Sequence, residues 1–363
     1  MSTVPAQGEA SPVPTPVLAE ILGISADQIR LREDMEYWRK PGRGVERVVW
    51  ASGPDSGSQA ACVKYGVGLE REALAYTVLL DPVADRVPRL LGHRPLAADA
   101  RVVAIEWLEG RTPDLWSADD VVPVFRTAGG FAAEWAARIQ ASSPIGRGLA
   151  RNPVPVSLEA AWHAFLASIR DKNWYETRFT EYATLALGQE QLLVEVGGEE
   201  AVTACLRILT LAPRLAGEIC SVPLTLDPGD FADENAFLGS DGSAYLLDFD
   251  NLRLAPVVQM LESVGEDWSS QPAPEFVEVA LRAFVDAWNS VGSTHLDWRR
   301  FRAAHHGIRV WRKCSELQGS LRDVAGSVAQ GSGGEYADGG PVEFARECAS
   351  ALPALLENAV ATL

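Results

Sequence analysis

The spacing of apolar residues changes once along this chain, near Gly110. Before that point, short apolar runs alternate with turns rich in glycine and proline. Val48-Val49-Trp50, Ala60–Lys64 and Arg101–Leu108 read as strands, with turns at Gly42–Gly44 and Gly53–Gly57. Three helical segments are set among them: Val17–Leu22, Ala26–Arg32 with Ser25 as its cap, and Leu69–Leu80, where Leu69, Ala73, Tyr76 and Leu80 share one face. Beyond Gly110 helical periodicity takes over, in stretches 119–142, 157–171, 174–195 and 198–219, then 256–265, 274–290, 297–320 and 341–361. Residues 1–16 lack the basic start and apolar core of a signal peptide and read as a disordered leader. Ser327–Gly340 is rich in glycine and serine and predicts a loop. No repeat is evident, and no apolar run reaches transmembrane length.

One stretch interrupts the helical half. Residues 224–251 read LTLDPGDFADENAFLGSDGSAYLLDFDN, with Asp241-Gly242 as a hairpin turn. An ordinary hairpin with solvated acids is one reading. The other follows from Asp230, Asn235 and Asp248: an aspartate, an asparagine five residues on, a short hairpin, then Asp-Phe. That is the form of a kinase catalytic loop followed by a metal-binding strand end. Aspartate orients or accepts the proton of an attacking hydroxyl, while an amide oxygen and a second carboxylate are hard ligands for Mg²⁺ on nucleotide phosphates. Upstream pieces fit the second reading. Backbone N–H groups around Gly42 and Gly44 would cover phosphates, although such glycines also make plain turns. Lys64 would contact the phosphates, with Glu72 as its partner and Glu70 as a competitor. The run Glu106-Trp107-Leu108-Glu109-Gly110 suits a hinge whose backbone groups, at Glu106 and Leu108, pair with a purine.

Composition narrows the classes. The chain has 363 residues, 47% hydrophobic and 22% charged, as in a soluble globular protein. A net charge of −17 argues against nucleic acid as a partner and permits a cationic one. The five cysteines are scattered, without metal-binding spacing, which fits free thiols in a reducing cytoplasm. His305-His306 is a poor metal site because neighbours do not share a helix face. Gly331–Gly334 is not followed by Lys-Ser/Thr, which excludes a P-loop.

In order, the runs Ala61-Cys62-Val63-Lys64, Glu70-Arg71-Glu72-Ala73, Val87–Gly92, Ile105–Gly110, Pro228-Gly229-Asp230-Phe231 with Asn235, and Leu247-Asp248-Phe249-Asp250 resemble the aminoglycoside phosphotransferase and choline-kinase-like group. The resemblance spans about residues 40–265. It implies an α+β, bilobal protein-kinase-like fold: a small β-rich N-lobe over 17–106, a hinge at 107–110 and a large helical C-lobe over 111–363. It further implies ATP or GTP and Mg²⁺ as cofactors, Lys64 on phosphate with Glu72 pairing to it, Asp230 as catalytic base, and Asn235 and Asp248 as metal ligands. The sequence departs from the family at the catalytic loop. Where the family writes His-Gly-Asp-Phe-His-Pro, this chain writes Pro228-Gly229-Asp230-Phe231-Ala232-Asp233. Pro228 has no imidazole and no N–H, but its fixed φ offers backbone stiffness instead.

The acceptor is less defined. Asp227, Asp233 and Glu234 crowd the catalytic loop, and Glu262, Glu266 and Asp267 follow the metal-binding strand; together they suit a hydroxylated amine, or else are solvated acids of an acidic protein. Trp268, Trp298 and Trp311 could wall a cation or sugar, or belong to the core. Three classes stay open: a small-molecule kinase in antibiotic resistance or natural-product metabolism, a catalytically silent nucleotide binder, and a protein kinase. No Ala-Pro-Glu run follows Asp248, which disfavours the last. Monomer and dimer are both open.

Overall fold

The computed structural model describes residues 13–35, 42–51, 57–115, 117–141, 154–231, 233–264, 274–291, 294–329 and 340–363. The Gly53–Gly57 turn, apart from Gly57, lies outside them. The chain divides into two compact units: residues 1–168, 228–253 and 278–293, and residues 169–227, 254–277 and 294–363.

The first unit carries an antiparallel sheet of β1 (Ile29–Asp34), β2 (Arg43–Ala51), β3 (Ser58–Val67), β4 (Leu90–Pro95) and β5 (Ala100–Glu106), in the order β1-β2-β3-β5-β4. Register follows from alternation. Val48, Trp50, Ala61, Val63, Tyr65, Val102 and Ala104 turn to one buried cluster, which α1 (Thr15–Leu22) covers with Leu18. Val13 belongs to that cluster and α1 starts at Thr15, so the folded core includes part of the expected leader.

Residues 26–32 are not a helix. Ser25 and Gln28 form a capping box, but only the 3₁₀ turn Ala26–Gln28 follows it; Ile29–Asp34 then pairs with β2 as an edge strand. Pairing of Arg32 with the buried Glu46, at 2.7 Å, fixes that edge. Leu69–Leu80 is likewise two pieces: α2 (Glu70–Leu74), then a π-turn over Ala75–Leu79, where the N–H of Leu80 donates to the Ala75 carbonyl at 2.9 Å.

Beyond the hinge run the same unit continues with α3 (Ala118–Ala141) and a small sheet of Gly110–Arg111, Ala236–Gly239 and Ala244–Leu246. The last two strands form the expected hairpin, with Gly242 at φ +83° in its turn. Asp120, buried in the first turn of α3, holds Arg111 and the N–H of Asp114 and so pins the chain leaving the hinge run.

The second unit is helical, with segments Lys172–Leu187, Glu190–Ile219, Trp298–Ala329 and Pro341–Val360. The stretch 174–195 is broken at Gly188-Gln189, and Gly198 (φ +65°) interrupts Glu190–Ile219. Leu224–Asp227 pairs with Arg253–Pro256. The 256–265 stretch is a 3₁₀ turn over Val257–Leu261. Trp311, 6% exposed, is a core residue here: Trp174 packs 5.6 Å from it and the Arg170 guanidinium 5.3 Å from it. Trp298 stacks on Phe301 at 6.0 Å, and Trp268 lies outside the described residues. All five cysteines are free thiols, and among the described residues no helix is long and apolar enough to cross a membrane.

Candidate active site

A cavity of about 410 Å³ opens within the first unit, a size suited to a small ligand. Its wall includes Gly44, Cys62, Lys64, Glu72, Glu106, Leu108, Asp230, Glu234, Asn235 and Asp248, residues that the sequence scatters over about two hundred positions.

Lys64 is central. It sits on β3, and its Nζ donates to Glu72 Oε1 at 2.7 Å and to Asp248 Oδ1 at 3.0 Å. Of the two glutamates on α2, Glu72 is therefore the one that meets Lys64. Burial would lower the lysine pKa, but the Glu72 and Asp248 carboxylates outweigh it and hold Lys64 well above the usual value, so it stays charged. Burial also raises Glu72, against the pull of Lys64. Two carboxylates around one ammonium leave an excess of negative charge in the cavity.

Asp230 and Asp248 are built alike. Each precedes a phenylalanine that anchors the backbone on α3: Phe231 lies edge-on to Phe125 at 5.3 Å, and Phe249 stacks on Phe131 at 6.1 Å. The phenyl groups are 7% and 0% exposed, while Asp230 faces out. Phe249 also meets Tyr76 of the π-turn edge-on at 5.7 Å. Asp248 has φ +56°, the one non-glycine residue in the left-handed region among those described. Such a backbone costs about 1–2 kcal/mol and persists only where its surroundings over-determine it.

The turn Pro228-Gly229-Asp230 is held without a histidine. Pro228 is buried and Gly229 has φ +96°; a Cβ on Gly229 would collide with the Asn251 backbone carbonyl. Arg253 Nη2 donates to the Gly229 carbonyl at 3.3 Å. Asn235 Nδ2 donates to the Asp230 carbonyl at 3.0 Å, and the N–H of Leu247 donates to the Asn235 carbonyl at 2.8 Å. The Asn235 amide is thereby turned so that its Oδ1 is left for another partner. That oxygen and the Asp248 carboxylate form a hard-oxygen pair, which fits Mg²⁺: such an ion takes one or two protein oxygens and completes its shell with phosphate and water. Among the described residues no group of three or more His, Cys, Asp or Glu could hold a metal without such help.

The other sequence candidates separate. Gly44 faces Tyr65, whose ring occupies the space of a side chain there, and it lines the cavity. Gly42, at φ +73°, lies behind it and accepts the Val67 N–H, without lining the cavity. Leu108 lines the cavity. Glu106, named for its backbone, also acts by its carboxylate, which accepts the Arg89 N–H at 2.9 Å and fixes the chain entering β4. Glu234 is exposed at the cavity wall. Asp227 is 1% exposed at the end of its strand and does not line the cavity, which removes it from an acceptor rim. Glu262 is half-buried and also absent from the wall. The Asp233 side chain, Glu266 and Asp267 lie outside what the structure describes. Sequence reasoning missed Arg43, Cys62 and Tyr76. Cys62 lines the wall two residues before Lys64, and burial pushes its thiol up to about 11. The Tyr76 hydroxyl is buried beside this cluster, raised well above its usual value by burial and by Glu72. Only the Gly-Arg-Gly spacing could have flagged Arg43.

This is the α+β, kinase-like fold of small-molecule phosphotransferases. A choline kinase from Cryptosporidium parvum Iowa II superposes with a TM-score of 0.56 at 10% identity, covering 96% of this chain and 95% of that one. An aminoglycoside phosphotransferase from Alicyclobacillus acidocaldarius gives 0.53 at 13% identity over 99% and 100% of the two chains. The GDP and kanamycin complex of APH(2")-IIIa gives 0.54 at 12% identity over 95% and 98%. These superpositions establish a shared α+β fold, in which a five-stranded antiparallel sheet is followed by a predominantly helical remainder of the chain. No protein-family model matches the sequence, and no curated protein does.

Proposed function

We infer that this protein is a phosphotransferase that moves the γ-phosphoryl group of ATP or GTP to a hydroxyl of a small molecule. The observation that carries the reading is the double pairing of Lys64 with Glu72 and Asp248 in a cavity also lined by Asp230 and Asn235. Lys64 would hold phosphate oxygens, Glu72 would keep Lys64 in reach, and Asp230 would orient the acceptor hydroxyl. Mg²⁺, when bound by Asn235 and Asp248, supplies neutralisation of phosphate charge. Purine would lie by the hinge at Glu106 and Leu108. Transfer of this kind asks the protein mainly for positioning and electrostatics, which a preformed cavity provides.

The acceptor class follows from charge. Asp230 and the exposed Glu234 give the cavity a negative rim, which suits a hydroxylated amine of the aminoglycoside or amino-alcohol kind. Support for this also comes from the folds found, which include a kanamycin complex and a choline kinase. Such an activity would serve antibiotic resistance or natural-product metabolism.

The test is phosphate transfer from ATP and GTP across a library of hydroxylated amines, sugars and nucleosides. Wild type should phosphorylate at least one amine-bearing alcohol, and Asp230→Asn should lose about 10²–10⁴-fold in kcat with unchanged thermal stability. Full turnover by Asp230→Asn removes the assignment. Magnesium-dependent nucleotide binding with no transfer to any acceptor would instead mark a silent nucleotide binder.

A further inference from the structure

Arg43 begins β2 between Gly42 and Gly44, and its guanidinium is spent on three partners. Nε donates to the Val67 carbonyl and Nη2 to the Gly68 carbonyl, each at 2.8 Å, at the end of β3. Nη1 donates to Asp250 Oδ2, also at 2.8 Å, across 207 residues of sequence. The Asp250 side chain is 10% exposed and that of Arg43 23%, so this ion pair is largely withdrawn from water. Its seat is built into the chain. Gly66 and Gly68 have φ of +128° and +71°; a Cβ at Gly66 would stand 2.8 Å from the Arg43 Cα, and one at Gly68 2.7 Å from Nη2. Larger residues there would displace the guanidinium.

The far end of this bridge is the turn that carries Asp248. That residue is held in an unfavourable backbone region, with Phe249 sunk in the core and Asp250 directly after it. Lys64 restrains the turn from one side, through the carboxylate of Asp248. Arg43 restrains it from the other, through Asp250. Arg43 also lines the cavity. By pairing with Asp250 it leaves Asp248 as the acid of this turn directed to the ligand.

We propose that Arg43 is a positioning residue: through Asp250 it fixes the Asp248 carboxylate for the metal–nucleotide complex and ties the β2–β3 pair, which would cover the phosphates, to the metal-binding turn. This rests on the phosphotransferase reading. Groups that orient a metal ligand from behind typically contribute 10–100-fold to metal affinity. Arg43→Gln and Asp250→Asn should each raise the Mg²⁺ concentration for half-maximal thermal stabilisation by ATP about tenfold. The double variant should cost no more than the worse single one, because both remove the same link. In nucleotide-free protein, amide exchange at Phe249–Asn251 should quicken in each variant.

The outcomes separate. A lower melting temperature with unchanged Mg²⁺ half-saturation means a merely structural pair and overturns the proposal, as does additivity in the double variant. Should Arg43→Gln fail to fold, Asp250→Asn decides by the same readouts. If wild type shows Mg²⁺-dependent stabilisation and the variants match it, the proposal alone falls. If wild type shows none with ATP or GTP, the phosphotransferase reading falls with it.

Discussion

Replacing Asp248 with asparagine separates ligand chemistry from stability. Asparagine tolerates a left-handed backbone, so φ of +56° can persist. The substitution removes an attraction: at 3.0 Å and an effective dielectric near 20, Lys64 and Asp248 interact by about 5.5 kcal/mol before desolvation. It also removes a repulsion. Glu72 Oε1 and Asp248 Oδ1 share one nitrogen, so they lie at most about 5.7 Å apart and repel by about 3 kcal/mol or more on the same scale. The remaining advantage is of the order of the several kcal/mol lost in desolvating a carboxylate that is 19% exposed. Net stability of the free protein should therefore change by about 1 kcal/mol or less, roughly 1–2 °C in melting temperature for a chain of 363 residues. Nucleotide linkage should respond differently. A ligand at a hundred times its Kd stabilises by about 2.7 kcal/mol, and Asp248→Asn should abolish the magnesium-dependent part. Melting curves of both proteins with and without ATP, in EDTA and in MgCl₂, measure both quantities. An Asp248→Asn protein stabilised by Mg²⁺ and ATP as wild type is would refute the reasoning.

Three further outcomes are expected. Gly229→Ala should reduce turnover far more than it affects distant helices, since its φ of +96° and the Asn251 carbonyl leave no room for a methyl; kinetics with circular dichroism as the fold control checks this. Phe249→Ala should cost about 3–5 kcal/mol in urea unfolding by opening the contacts with Tyr76 and Phe131; a loss under 1 kcal/mol would contradict the anchoring role. Acid should destabilise the second unit through His305 and His306. Burial, with Arg302 and Arg309 nearby, keeps both neutral, His305 well below 6.5 and His306 down to about 4. Unfolded histidines bind protons near pH 6.5, so this stability is full above that pH and is lost as pH falls through the folded values. Denaturation midpoints from pH 7 to 4 should fall less steeply in His306→Gln.

The fold was legible where local pattern and final pairing agree. Val48-Val49-Trp50 alternates as a strand because one face meets a single core, and the helix near 118–141 keeps one apolar face. Residues 26–32 misled because Ser25 and Gln28 do start a turn; the free edge of β2, which no local signal announces, then takes the chain. The π-turn was equally silent, for its extra residue is accommodated by packing of Tyr76 on Phe249. In the site, Lys64, Glu72, Asp230, Asn235 and Asp248 could be singled out because their order along the chain resembles that of known phosphotransferases, and all five line one cavity. The acidic rim could not, since composition does not distinguish the buried Asp227 from the exposed Glu234. Arg43 was hidden because its meaning lies in an aspartate 207 residues away.

The two Asp-Phe steps share one support, Phe125 and Phe131 on the same helix, and this has a consequence for how the sequence can change. Six residues of α-helix separate those rings by about 9 Å and by a fixed rotation. Side chains along α3 can be exchanged one at a time while that interval is kept. Inserting or deleting a single residue between them would turn one ring about 100° from its phenylalanine and change the spacing of the two aspartates in one step. Descendants of this chain can therefore vary in length at its loops, whereas the interval 125–131 acts as a gauge that tolerates substitution and not insertion.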